Sequence, residues 1–310
     1  MSNSIAIEKV VVTGAFGYTG KYITRRLLAL GKRVVTLTAH PNRPNEFGGR
    51  VEVAPLDFQD RRGLVQSLRG AGCLFNTYWV RFNHGGVTFD QAVANTKILI
   101  EAAIEAGVRK LVHISITNPS LDSKLPYFRG KAELEKTIQS SGIPFAILRP
   151  TVIFGAEDIL INNIAWLLRH LPVFAVPGGG DYRLHPVFVG DVADLAVRAS
   201  EESGDSVRDA VGPEDFTFDE MVRLIASQTR TSARIIHVRP GMALALSGLL
   251  GYALRDRILT REEIDGLMAG LLVSAEAPTA PTCFSKWLVE HGKILGAQYT
   301  SEIERHYGRN

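Results

Sequence analysis

The sequence predicts an α/β protein: a doubly wound parallel sheet, with a smaller, mainly helical lobe built from the C-terminal half. Three observations carry this. Short β-branched runs alternate with helix-period segments through the first half, the pattern that calls for parallel strands joined by crossover helices. The first strand runs directly into a turn with glycines at 14, 17 and 20, and then into a helix. After Arg149-Pro150 the alternation breaks down.

Taken in order, Val10 to Thr13 reads as a first strand and Lys21 to Leu30 as a helix stopped at Gly31. Arg33 to Thr38 and Val51 to Pro55 are the second and third strands. Arg61 to Leu68 reads as a helix, Cys73 to Tyr78 as a fourth strand, Phe89 to Ala106 as a long helix closed by Gly107, and Lys110 to Ile114 as a fifth strand. A helix beginning near Pro126 continues to Ser140, with Gly142 beyond it, and Phe145 to Leu148 is the sixth strand. Ile159 to His170 reads as a helix, Pro177 to Gly180 as a turn, Asp191 as the N-cap of a helix over Val192 to Ala199, and a last helix carries Trp287 after a Pro-rich loop. The expected division is 1–155 for the sheet domain, with a return segment near 183–200, and 156–310 for a discontinuous substrate or partner lobe.

Composition narrows the function classes. Lys+Arg 35 against Asp+Glu 32 makes no basic field that would draw nucleic acid. Cys73 and Cys283 are too few and too far apart for a disulfide framework or a metal site, and read as small core residues. No secretory signal is expected at the N-terminus, and no stretch reaches the roughly 18 apolar residues that cross a bilayer, so the expected location is cytoplasmic. Met242 to Leu254, the most apolar segment of the second half, is long enough only for a buried or interfacial helix and reads first as core packing, second as membrane contact.

The glycine turn carries the first chemistry. A tight turn between strand and helix needs glycine where the backbone must approach a pyrophosphate without an intervening Cβ, and the helix start offers N–H groups and a positive dipole end to the anion. In the βαβ context of a Rossmann-type sheet this is a dinucleotide site, with Gly14, Phe16, Gly17, Tyr18 and Gly20 as its candidates; the bland alternative is a tight turn alone. A carboxylate at the end of the second strand would accept from the ribose 2′-OH of NAD, whereas a basic residue would meet the 2′-phosphate of NADP. The strand ends Thr38-Ala39-His40 with Arg43 following, which favours NADP(H) over NAD(H), unless Arg43 is merely solvated. Asp57 and Phe58, after the third strand, are candidates for the adenine or else a helix-capping region.

Tyr127 and Lys131 stand one helical turn apart and share a face. A tyrosine that moves a proton at a carbonyl needs its ordinary pKa of about 10 brought down, and an ammonium one turn away stabilises the phenolate and can hold the nicotinamide ribose. Ser115, ending the fifth strand, could orient the substrate oxygen. The alternative is a packing tyrosine beside a solvated lysine. His84, in a Gly-flanked loop, reads as exposed; His113 reads as a satisfied core or rim residue; the remaining histidines show no ligand spacing, and no metal is expected. Trp166 and its Ile and Leu neighbours read as core before pocket.

Together, the turn Thr13 to Gly20, the run Asn95 to Ser115, Tyr127 to Lys131 and Leu148 to Gly155 resemble the short-chain dehydrogenase/reductase superfamily over most of the chain. Ile114 to Pro119, Leu125 to Lys131 and Asp158 to Trp166 are more narrowly similar to its atypical, extended members: NAD-dependent epimerase/dehydratases, NmrA-like proteins and the nucleotide-binding accessory subunit of respiratory complex I. The resemblance implies a Rossmann domain with Gly14, Gly17 and Gly20 at the pyrophosphate, Ser115, Tyr127 and Lys131 as the active site, and Pro150 to Ile153, including Val152, bordering the nicotinamide. It implies an NADP(H)-dependent oxidoreductase or epimerase/dehydratase-like enzyme acting on a small carbonyl or alcohol. The alternative is a non-catalytic NADP(H)-binding regulatory, accessory or assembly protein of a membrane-associated complex, approached through Met242 to Leu254. Homodimers are common in that superfamily.

Overall fold

A computed structural model describes residues 7–307 of the chain. Six parallel strands form the centre: β1 (Lys9–Thr13), β2 (Arg33–Thr38), β3 (Val51–Pro55), β4 (Ala71–Asn76), β5 (Lys110–Ile114) and β6 (Phe145–Pro150). They lie in the order β3-β2-β1-β4-β5-β6, and the strand Ser206–Ala210 adds a seventh beyond β6. The crossover helices are α1 (Tyr18–Ala29), α2 (Arg61–Leu68), α3 (Phe89–Glu105) and α4 (Pro126–Gln139). β2, β3 and α2 fall on the residues their patterns predict, because each is a short run bounded by turn residues. β4 begins and ends two positions earlier than the span Cys73 to Tyr78 that its pattern suggests, since buried Ala71 already pairs with Lys9 of β1, with Gly72 at a register shift, and the strand stops at Asn76.

The chain divides into two compact units: residues 1–149 with 192–208, and residues 150–191 with 209–309. The first has its core under the sheet, where Val11, Leu37, Leu74, Leu111 and Ile147 meet Leu64 and Leu68 of α2 and Leu99 of α3. Burying such side chains is worth roughly 1.5–3 kcal/mol each before conformational entropy is set against it. The second unit is a mixed lobe. Its core gathers Phe154, Ile161, Ile164, Leu168, Phe218, Met221, Phe284 and Trp287 around short two-stranded pairings. Trp166 itself stays half-buried and stacks on His170 at 4.4 Å between ring centres.

Three expectations need correction. Asp191 is not an N-cap: the helix starts earlier, at Val189, and the Asp191 carboxylate instead accepts hydrogen bonds from the backbone N–H and the hydroxyl of Thr282. The apolar segment from Met242 to Leu254 is the helix Pro240–Leu254, but only one side of it packs: Ala243 and Gly251 are buried, Leu244, Leu250 and Leu254 are half-buried, and Met242, Leu246, Leu249 and Tyr252 are exposed, so it is core packing on one face alone. His84 is half-buried rather than exposed, edge-on to Phe82 in a turn whose backbone pairs His84 with Val87. The cysteines are both free thiols, and burial pushes that of Cys73 up to about 12. No helix among the described residues is long and apolar enough to cross a membrane.

Candidate dinucleotide and active site

The strand order reverses direction between β1 and β4, and in an open sheet of this kind the crevice beyond the carboxyl ends of those strands is where ligands bind. The backbone there is held by a buried polar ladder. Thr13 Oγ1 donates to Asn76 Oδ1 at 3.1 Å and accepts from the N–H groups of Thr77 and Tyr78 at 2.8 and 3.1 Å. Thr77 Oγ1 donates back to the Thr13 carbonyl at 2.5 Å. These bonds tie the exit of β4 to the exit of β1.

The glycine turn opens directly from that edge. Gly14 sits at φ +66°, the left-handed region that an L side chain enters at a cost, and its N–H reaches the Leu37 carbonyl of β2 at 2.9 Å. A Cβ on Gly20 would lie 2.2 Å from the Gly14 carbonyl oxygen, so the first turn of α1 can approach the strand only because Gly20 has no side chain. At Gly17 the same test gives 3.1 Å. Gly17 is also the N-cap of α1, where no side chain caps the helix and no acid lies in the first turn. Close backbone approach, an uncapped N-terminus and the dipole end together suit an anionic pyrophosphate.

The other cofactor candidates scatter in role. Phe16 stacks on the buried Phe47 with ring centres 6.3 Å apart, and Tyr18 lies edge-on to Tyr22 at 6.1 Å. Arg43 is half-buried in the loop after β2, its N–H bonded to the His40 carbonyl. Asp57 is exposed and accepts from the Gln59 N–H at 2.9 Å, a local turn bond, while Phe58 packs its ring 5.0 Å from that of Tyr78 at the exit of β4. Pro150 ends β6, and Val152 begins the short strand Val152–Phe154; both belong to the second unit.

Helix α4 carries the candidate chemistry. Tyr127, Lys131 and Glu135 follow at intervals of one turn, a stripe on one face. Lys131 is almost wholly buried: Nζ donates to the Ile114 carbonyl at 2.8 Å and lies 4.5 Å from the centre of the Trp79 ring. Burial, only partly opposed by the Glu135 carboxylate, brings its pKa down to about 7. Tyr127 is half-buried, with Trp79 and Phe89 against its ring at 5.6 and 5.8 Å. Trp79 fits onto this face because position 130 is glycine: a Cβ there would meet its ring at 3.0 Å.

Ser115 lies where β5 ends, and its hydroxyl donates to Glu135 Oε1 at 2.5 Å. Glu135 is buried and also receives Arg149, whose Nε lies 3.0 Å from one oxygen and whose Nη2 lies 2.5 Å from the other. The fold therefore brings Ser115 to the Lys131 stripe, but ties its hydroxyl into an internal Ser–Glu–Arg chain. Glu135, Arg149 and Trp79 were not singled out by sequence; a third ionisable residue four positions beyond Lys131 was the available signal. His113 is a further difference. It is fully buried but only half satisfied, because Nδ1 accepts from Asn76 Nδ2 at 3.0 Å while Nε2 has no partner among the described residues. Burial first, and the Lys131 charge second, push its pKa well below that of a free imidazole.

Lys131 makes folding pH-dependent in a defined direction. Between about 7 and 10.5 the unfolded chain holds this proton and the folded chain does not, so stability rises with pH across that window, by about 1.4 kcal/mol per pH unit at most. Relative to Lys131→Met, wild type is expected to gain roughly 2 kcal/mol in urea unfolding between pH 7 and pH 9. Parallel stability profiles for the two proteins would show that Lys131 keeps its proton on folding.

Residues 14–159 match the NAD(P)H-binding family. A relative from Streptomyces griseus, (4-alkanoyl-5-oxo-2,5-dihydrofuran-3-yl)methyl phosphate reductase, is 30% identical over 218 residues, 68% of this chain and 70% of that protein. The mitochondrial NADH dehydrogenase [ubiquinone] 1 alpha subcomplex subunit 9 of Arabidopsis thaliana is 23% identical over 294 residues, 89% of this chain and 73% of that protein. Among solved structures, the Citrobacter triphenylmethane reductase complexed with NADP(H) superimposes with a TM-score of 0.73 at 16% identity, covering 92% of this chain and 99% of that one.

Proposed function

We propose that this chain, which belongs to the NAD(P)H-binding family, is an NADP(H)-dependent oxidoreductase acting on a small carbonyl or alcohol. The observation that carries this reading is Lys131: a lysine buried on the same helix face as Tyr127, with its pKa lowered to about 7, beside the carbonyl that precedes Ser115. A strongly perturbed ionisable group with a specific partner is a candidate for chemistry, because catalytic acids and bases need shifted pKa values.

The bound nicotinamide would supply or accept the hydride. The chain's own part is to bind and to move the proton. The turn from Gly14 to Gly20 holds the pyrophosphate. Tyr127 gives a proton to the substrate oxygen as the carbonyl is reduced, or takes one in the reverse direction. Lys131, poised near neutral pH, offsets charge on the phenolic oxygen one helical turn away when it carries its proton. Ser115 orients the substrate oxygen once its hydroxyl turns from Glu135, whose remaining bonds to Arg149 keep that carboxylate paired. The Streptomyces reductase supports reduction as the direction.

Arg43 carries the choice of NADP(H). Arg43→Ala is expected to weaken NADPH roughly tenfold, the loss of one charge-assisted contact, and to leave NADH unchanged. Equal weakening of both nucleotides in fluorescence titrations would take Arg43 away from the 2′-phosphate. The whole reading is tested by oxidation of NADPH against a panel of small aldehydes, ketones and unsaturated lactones, followed by loss of reduced-nicotinamide absorbance.

A second reading rests on the Ser115–Glu135–Arg149 chain, which already satisfies the serine hydroxyl internally. In that reading the chain binds NADP(H) without turning it over and serves as an accessory subunit of a larger assembly. The complex I subunit relatives, aligned over most of the chain, support it. Tight NADPH binding with no turnover anywhere on the panel would favour it.

A further inference from the structure

The helix Pro240–Leu254 is the least accounted-for feature of the molecule. It contains no charged residue, and its apolar surface is not confined to one stripe. Ala243 and Gly251 face inward, where a Cβ on Gly251 would meet the Asp256 carbonyl at 2.6 Å. Met242, Leu246, Leu249 and Tyr252 point away from the core at 55%, 46%, 71% and 87% exposure, and their spacing of four, three and three positions puts them on one face. Scattered exposed apolar residues need no explanation, but a contiguous row of this length does.

Charge identifies the occupant. Arg239 stands at the N-cap of the helix, Arg255 and Arg257 follow it directly, and all three are exposed. Between Arg230 and Thr260 the sole acid is Asp256, which is turned inward to accept from the Tyr299 hydroxyl and from the N–H groups of Glu302 and Ile303. An apolar face with cations at both ends suits a surface that is oily inside and anionic at its boundary. A second copy suits it poorly. Two such helices crossing antiparallel would bring Arg239 of one against Arg255 of the other, with no acid in the helix to offset them.

Length decides the geometry. Fifteen residues span about 22 Å, short of the roughly 30 Å hydrocarbon core, so the helix would lie in the interface rather than cross it. Tyr252 sits beside Arg255 at the end of the helix, where an amphipathic ring belongs at headgroup depth. Along the same end lies a shallow hollow lined by Gly248, Gly251, Tyr252, Arg255, Asp256 and Ile303.

We propose that the Pro240–Leu254 helix is a monotopic anchor that docks this chain on an anionic lipid surface. The proposal does not depend on whether the protein turns over NADPH.

The test is co-flotation of the full chain with vesicles made of equal parts phosphatidylcholine and phosphatidylglycerol, against vesicles of phosphatidylcholine alone. Binding is expected to be at least about tenfold stronger on the anionic vesicles, and to fall as salt is raised from about 0.1 M to about 1 M, where screening shortens from about 10 Å to about 3 Å. Leu249→Glu and Tyr252→Glu are each expected to lower vesicle binding at least about tenfold by placing a charge at the apolar boundary. Because both side chains are exposed, the melting temperature and its rise with NADPH should not change in these variants. Wild type that stays unbound on anionic vesicles overturns the proposal. So does equal binding by wild type and Leu249→Glu, and so does a wild-type dimer in light scattering that Leu249→Glu dissociates, since the face would then be covered by a second copy.

Discussion

Gly20→Val is expected to raise the dissociation constant for NADPH by about 100-fold or more, equivalent to about 2.7 kcal/mol, with a loss of fold stability of about 1–3 kcal/mol. The reason is distance. The new Cβ alone would sit 2.2 Å from the Gly14 oxygen and 2.8 Å from its carbonyl carbon, and both are backbone atoms of the turn. Relief requires α1 to swing away from β1, which removes the first-turn N–H groups from the place the pyrophosphate occupies. Gly49→Ala is the matched control, because nothing lies within 4 Å of the added Cβ and that residue does not sit at positive φ. Isothermal titration of both variants with NADPH separates the cases. Wild-type affinity in Gly20→Val would mean the nucleotide binds somewhere else.

Tyr127→Phe is expected to cut turnover by about 10²–10⁴-fold while changing NADPH affinity by less than about threefold. The substitution removes one oxygen and keeps the ring, so the contacts to Trp79 and Phe89 at 5.6 and 5.8 Å persist, and stability should stay within about 1 kcal/mol. This combination distinguishes proton transfer from packing: a structural tyrosine would move stability or binding and leave kcat alone. Full turnover in the variant would sink the assignment of Tyr127 as the group that moves the proton.

Much of the sheet domain was legible in the sequence because its signals are local. β2, β3 and α2 begin and end on the residues their patterns mark, and the glycines at 14, 17 and 20 appear as a spacing. Tyr127 and Lys131 share a helix face whatever surrounds that helix. The surroundings are another matter. Glu135 and Arg149 are 14 positions apart and meet because the end of β6 returns beside α4, while Trp79 reaches Lys131 from the loop after β4. No periodicity in either segment marks those meetings.

The outward helix shows the same limit from the opposite side. Hydropathy measures how strongly a segment prefers to leave water and says nothing of which neighbour accepts it, so Met242 to Leu254 reads as core, whereas the fold covers one face of it and leaves Met242, Leu246, Leu249 and Tyr252 exposed on the other. His113 adds a smaller case. Its place in a strand predicted burial, but only the register with Asn76 of β4 set which ring nitrogen would be bonded and which left without a partner.

By itself, then, the sequence determined the fold class, the positions of its first six strands along the chain to within two residues and the glycine turn, since strand period, helix period and the need for a missing Cβ are properties of a few neighbouring residues. Tertiary structure alone decided that Lys131 is buried with a pKa near 7, that Ser115 is engaged by Glu135, and that a charge-free helix keeps one apolar face exposed. Desolvation, ion pairing and surface exposure depend on which distant segments the fold brings to a residue, and that is fixed only when the whole chain has packed.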